Sequence, residues 1–155
     1  MKNTLLIGGL LLLALSACKQ ETFDANSFIE LKKDPCFGFC PVYEFRIDGT
    51  GQAIFKGIRN VEKTGTWKRQ LDPEATRKLF QSFIDADVWQ FEDEYAGEVS
   101  DMPTIWLTFS HQGRTKRIMD YFGAPAKLKE LEALVEAIAE SQEGWEQVAP
   151  PASTQ

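Results

Sequence analysis

Cys36 and Cys40, separated by Phe37-Gly38-Phe39 and bracketed by Pro35 and Pro41, are the residues whose types and spacing point most directly to chemistry. Two chemistries suit such a pair: a disulfide, or thiolate ligation of a soft ion such as Cu(I). In a regular helix, residues four apart keep their Cβ atoms about 5–6 Å from each other, whereas a disulfide needs about 3.5–4.5 Å. Pairing therefore calls for a tight, non-helical turn. Gly38 admits the positive φ such a turn can need, and each proline biases the residue before it, Asp34 or Cys40, toward extended backbone. A bridge over so short a loop contributes about 2 kcal/mol in the loop-entropy account. That makes it a clamp on the strand that follows rather than the main source of stability.

The other reactive side chains are sparser. His111 is the one histidine and the only candidate third ligand for a copper site built on the two cysteines. It falls in the turn His111-Gln112-Gly113-Arg114, where a solvent-exposed residue is expected, and no Gly-x-Ser-x-Gly nucleophile elbow accompanies it. Two cysteines and a histidine fall short of the four ligands of a structural zinc site. The acids Asp85, Asp87, Glu92, Asp93, Glu94, Glu98 and Asp101 do not have the spacing of an EF-hand loop. Paired carboxylates among them would suit a glycosidase, but in an acidic chain a solvated face is the default. Asp101 stands apart because Pro103 follows it, and its side chain is suited to capping the turn backbone. Trp67, Trp89, Trp106 and Tyr121 suit either core packing or a ligand platform. Trp106 and Tyr121 fall on neighbouring predicted strands. Asp101, Trp106 and Tyr121 are thus the ligand-site candidates, with no catalytic set and no cofactor expected.

Hydrophobic periodicity places these residues on elements. Residues 28–33 alternate weakly. Residues 42–48 alternate cleanly, with Tyr43, Phe45 and Ile47 against Glu44, Arg46 and Asp48. Asp48-Gly49-Thr50-Gly51 is a turn, residues 52–58 form the returning strand, and a fourth strand lies within 60–71. Asp72-Pro73 opens a helix as N-cap and first residue, with Leu79, Phe80, Phe83, Ile84 and Val88 on its buried face and its end near 87–90. An acidic loop spans 91–103. Strands at 104–110 and 115–121 make a hairpin, and Gly123-Ala124-Pro125 opens a last helix striped by Leu128, Leu131, Leu134, Val135 and Ile138, closed by Gly144. The order ββββαββα predicts an α+β fold: an antiparallel sheet of about six strands with two helices packed on one face. The domain spans 28–144, after a tether at 18–27 and before a disordered tail at 145–155.

Residues 35–43, Pro-Cys-Phe-Gly-Phe-Cys-Pro-Val-Tyr, then Asp48-Gly49, Ser100-Asp101-Met102-Pro103-Thr104, Gly113-Arg114-Thr115-Lys116 and Tyr121 resemble a family of uncharacterised bacterial domains, DUF6438, common in lipoproteins. Ser100 stands where that pattern has a threonine. The resemblance implies domain boundaries near Ile29 and Ile138 and carries no assigned activity. Cys-x-x-x-Cys-Pro is also similar to the copper motif of Sco-type chaperones. That family has a thioredoxin-like fold, and the order of strands here does not fit it.

The N-terminus gives the address. Lys2 supplies a positive start and residues 5–15 an apolar run of signal-peptide length, shorter than the roughly 20 residues needed to span a bilayer. It ends in Leu15-Ser16-Ala17-Cys18, which resembles the lipobox of bacterial lipoproteins. The resemblance implies removal of residues 1–17 and acylation, palmitate included, of Cys18. Lys19 in the next position implies the outer membrane, facing the periplasm, if the source is Gram-negative. The net charge of −6 argues against phosphate-backbone binding, so no nucleic-acid partner is expected. With Cys18 assigned to the anchor, Cys36 and Cys40 are an even pair in an exported chain, for which a disulfide is the simplest state. The expected function is a non-enzymatic binding or scaffolding domain on a membrane-anchored lipoprotein, its partner an envelope protein or small ligand. The alternative is a periplasmic copper or thiol-redox protein using Cys36 and Cys40.

Overall fold

A computed structural model of the chain describes residues 21–99 and 101–148. The leader, the lipidation candidate Cys18, Ser100 and residues 149–155 lie outside the described residues.

Strands form where side chains alternate. In β2 (Val42–Asp48), Tyr43, Phe45 and Ile47 are buried while Glu44, Arg46 and Asp48 keep solvent contact. This is the period-two pattern of a sheet covered on one face. β1 (Phe28–Lys33) repeats it through Ile29 and Leu31, and β3 (Gln52–Arg59) through Ala53 and Phe55. β4 (Gly65–Gln70), β6 (Ile105–His111) and β7 (Arg114–Asp120) complete the long strands. With the two-residue strands β5 (Glu94–Tyr95) and β8 (Glu146–Gln147), they make an eight-stranded sheet in the order β5-β7-β6-β1-β2-β3-β4-β8. β1 lies centrally, antiparallel to both β2 and β6.

The α+β class holds, but the sheet is larger than the expected six strands, and it is mixed because β5 runs parallel to β7. The acidic loop supplies the extra strand. Backbone oxygens of Asp93 and Tyr95 accept from the amides of Met119 and Tyr121, both at 2.9 Å, which occupies hydrogen-bonding groups that β7 would otherwise present at a bare edge. At the far side, residues 145–148 depart from the expected disordered tail. Trp145 packs against the core, and the Val148 amide donates to Thr66 O at 2.8 Å.

α1 (Pro73–Asp85) starts where the Asp72 carboxylate accepts from the amides of Glu74 and Ala75 at 2.9 and 3.1 Å, with proline at the position where a missing N–H costs nothing. It stops before Asp87, whose φ of 49° breaks the helix, and Val88 reaches the core from a short 3-10 turn instead. α2 (Ala126–Ala139) buries Leu128, Leu131 and Val135. Side chains of both helices share one core with the inward residues of β1, β2, β3, β6 and β7.

Residues 21–27, expected as tether, lie on the domain. The Phe23 ring packs 5.1 Å from Phe80 and 4.9 Å from His111, and Asp24 O accepts from Gly49 N at 3.0 Å. His111 is not the exposed turn residue its neighbours suggested. β6 runs one residue further than its alternation indicated, and His111 is only 4% exposed.

Candidate functional site

The helices cover one face of the sheet, and the other face carries a groove of about 620 Å³, within the range of ligand sites. Its lining is chiefly the outward set of side chains that alternation requires, Phe28, Glu30 and Lys32 on β1, Glu44 and Arg46 on β2, Ile54 on β3, Trp106 and Thr108 on β6, Thr115 and Arg117 on β7, with the inward-facing Leu31 and Phe45 also reaching it. Two guanidinium–ring stacks organise it. The Arg46 guanidinium lies 3.7 Å from the Phe28 ring centre, and that of Arg117 lies 4.3 Å from the Trp106 ring. Stacking of this kind contributes about 0.5–1 kcal/mol at exposed sites and fixes the plane in which each guanidinium presents its donors. Arg46 also pairs with Glu30 across the strands. Trp106 Nε1–H donates to Asp34 Oδ2 at 2.7 Å, and Lys32 Nζ lies 2.8 Å from the other Asp34 oxygen. Burial alone would raise the Asp34 carboxyl, but these two bonds and the Lys32 charge hold it below its ordinary range. The arrangement offers apolar rings, oriented N–H groups and threonine hydroxyls. It suits binding.

Of the three ligand-site candidates, the structure brings only Trp106 into this groove. Tyr121 lies past the end of β7, its hydroxyl donating to Val99 O at 2.9 Å, and Asp101 is exposed in the loop with φ of 71°. Neither joins Trp106 in the groove lining. Trp67 and Trp89 pack against the core. Phe28, Arg46 and Arg117 were not singled out by the sequence. Their signal was parity: each alternates with a buried neighbour, and Arg117 sits opposite Thr108 in the β6–β7 register.

Cys36 and Cys40 are joined in a disulfide, with Cα atoms 5.7 Å apart. The turn is tied down on both flanks, by Asp34 N to Thr104 O at 2.9 Å and by Asn60 Nδ2 to Cys40 O at 3.1 Å. Phe37 and Phe39, at its tip, are 89% and 94% exposed. The turn follows Lys33 at one end of β1, whereas Ser110 and His111 lie beside Phe28 at the other. The six residues of β1 separate them by roughly 20 Å. His111 therefore cannot complete a metal site with this cysteine pair, which corrects that part of the copper alternative.

A family model described as "Domain of unknown function (DUF6438)" matches residues 27–139. The chain belongs to the DUF6438 family. No curated protein matches the sequence.

Two buried polar clusters complete the DUF6438 domain. In the first, His111 Nδ1 lies 2.9 Å from Ser27 Oγ and Nε2 lies 2.9 Å from Glu21 Oε1. The serine–histidine–glutamate order resembles a hydrolase relay, but Ser27 is 3% exposed and also faces Asp24 Oδ1 at 3.3 Å. A nucleophile closed off from substrate cannot act, so the chain of bonds clasps residues 21–27 to β6. In the second, Asp120 on β7 and Glu132 on α2 are 1% and 2% exposed, with Lys129 paired to Asp120 and 3.2 Å from Glu132. Burial first, and then the Asp120 charge, push the Glu132 carboxyl up to about 7. Burial would lower the Lys129 amine, but its bond to Asp120 and the Glu132 charge raise it instead. This cluster joins α2 to the sheet.

Proposed function

We propose that the protein is a cell-envelope lipoprotein, held at the membrane through a lipidated Cys18, whose DUF6438 domain is a non-enzymatic binding module working through the bare face of its sheet. The observation that carries the binding reading is the groove, where the Arg46–Phe28 and Arg117–Trp106 stacks hold cationic donors against apolar rings on the sheet face opposite the two described helices. The leader and the Leu15-Ser16-Ala17-Cys18 sequence support the anchor. Among the described residues no helix is long and apolar enough to cross a membrane, so in this reading attachment comes from the lipid. An anchored domain of this kind faces the periplasm if the source is Gram-negative.

Two measurements test the two halves of the reading. Cells fed an alkyne analogue of palmitate should label the wild-type chain and not Cys18→Ala; equal labelling ends the anchor. Hydroxyl-radical footprinting of Trp106 in intact cells and in the purified exported domain tests the groove. Several-fold protection in cells is expected, and equal reactivity would remove the groove as a binding site.

A further inference from the structure

Where α2 ends, on the face of the sheet opposite the groove, Tyr43, Phe55, Val61, Lys63 and Glu140 border a separate cavity of about 210 Å³. We propose that this cavity binds a free α-amino acid with an aliphatic side chain, whose carboxylate meets Lys63 and whose ammonium meets Glu140. The site is independent of the groove and of the lipid anchor.

Lys63 is 6% exposed, and burying a charge is costly unless the charge is paired. Its ammonium donates to Ser141 O, just past α2, at 2.7 Å, and lies 5.0 and 5.7 Å from the ring centres of Phe55 and Trp145. Among the described residues no ion pair joins it to a carboxylate. The sheet makes room for this placement. A Cβ on Gly57, within β3, would collide with the Lys63 carbonyl oxygen and with the Val61 side chain, so a glycine stands in a strand that it weakens. Burial pushes the Lys63 amine below its ordinary value, and the charges of Glu62 and Glu140 do not restore it. A buried, unpaired cation bordering a cavity marks a place where a ligand of opposite charge is missing.

The class of ligand follows from the charges around it. One oxygen of Glu140 accepts from the Tyr43 hydroxyl and the Lys33 ammonium, at 3.0 and 3.2 Å, and the other has no partner among the described residues. Glu62 borders the cavity as well. A simple anion would face these two acids, and a simple amine would face Lys63. A molecule carrying both charges satisfies both ends, whereas water neutralises neither. Pro41, Phe55 and Val61 supply an apolar wall for its side chain. The cavity is smaller than the roughly 300 Å³ at which drug-sized sites begin, which suits one amino acid and not a peptide. Glu62 and Gln142, both exposed, leave an entry from solvent.

The test is calorimetric titration of the full chain, purified in mild detergent, with L-leucine, N-acetyl-L-leucine and L-leucinamide. L-Leucine should bind at one site per chain. Each derivative lacks one of the two charges and should bind at least about ten-fold more weakly. Lys63→Met should weaken L-leucine by a similar factor and leave L-leucinamide, which has no carboxylate to lose, at its wild-type affinity. Glu140→Gln should weaken L-leucine and leave N-acetyl-L-leucine unchanged. Trp106→Ala, in the groove, should bind L-leucine as wild type does. No binding at about 10 mM L-leucine, a derivative that binds as tightly as L-leucine, full affinity in folded Lys63→Met, or loss of affinity in folded Trp106→Ala each overturns the proposal. Circular dichroism reads folding, and where a variant does not fold, the three ligands on the wild-type chain decide.

Discussion

His111 and Asp120 are both buried, on the neighbouring strands β6 and β7, and at opposite ends of the sheet. Both ring nitrogens of His111 have hydrogen-bond partners, both on the segment that brings the chain into the domain. Asp120 Oδ1 and Glu132 Oε1 have none among the described residues, and the only cation beside them is Lys129, about half exposed. A satisfied polar network fixes a segment at little cost, whereas buried charges demand desolvation that their attraction only partly returns. The first cluster therefore acts as a clasp. The second ties the stability of the α2–β7 contact to protonation.

The largest effect should come from removing the one cation between the two acids. Lys129→Met leaves Asp120 and Glu132 facing each other unpaired, which should cost about 3 kcal/mol at pH 8. Urea denaturation at pH 8 and pH 5 checks it. The loss should shrink at pH 5, where Glu132 holds its proton, and equal losses at both would mean that Lys129 packs through its carbon chain instead.

Titration of Glu132 should give a comparable change of defined sign. Its folded-state value is raised from 4.5 to about 7, so the folded protein binds this proton more tightly than the unfolded chain does. The contribution is fully present below about 4.5 and is lost as pH climbs through about 7. The groups facing it are Asp120 from β7 and Lys129 from its own helix. Glu132→Gln removes the charge and keeps the shape. Relative to that variant, wild type should lose about 3 kcal/mol between pH 4.5 and 8. Parallel stability curves for the two would show that Glu132 does not titrate in that window.

The same contrast shows what the sequence could reveal. β2 and the helix cap at Asp72 were legible because each is written locally, in strict alternation or in a side chain beside the amides it accepts from. The cysteine turn was legible because few geometries close a bridge over three residues. β5 and β8 were not, because two residues hold no period and their pairing is decided by which sheet edge is left open. Phe23 has only the small Ala25 at strand spacing and no apolar residue three or four positions away, so little in its surroundings marks a segment that packs on Phe80. Arg46 and Arg117 alternate as a solvated face would. Only the β6–β7 and β1–β2 registers show that each meets a ring. His111 was misplaced for a related reason: the turn residues Gln112 and Gly113 hid the last, inward position of β6.

The smallest effects should come from the clasp, and they separate its two halves. His111→Ala removes the ring packed on Phe23 and leaves Ser27 and Glu21 without their shared partner, at about 1–2 kcal/mol. Ser27→Ala removes the hydroxyl's bond to His111 and its longer one to Asp24 and leaves the Glu21 bond and the Phe23 contact in place, at about 1 kcal/mol. Hydrogen exchange distinguishes them better than global stability does. The Ser27 and Gly49 amides, which donate to Asp24 O, should exchange at least ten-fold faster in His111→Ala and nearly as in wild type in Ser27→Ala. Faster exchange in both would place the clasp in the Ser27–His111 bond. Unchanged exchange in both would place it in Phe23 and the Asp24 turn, with the buried histidine only filling space.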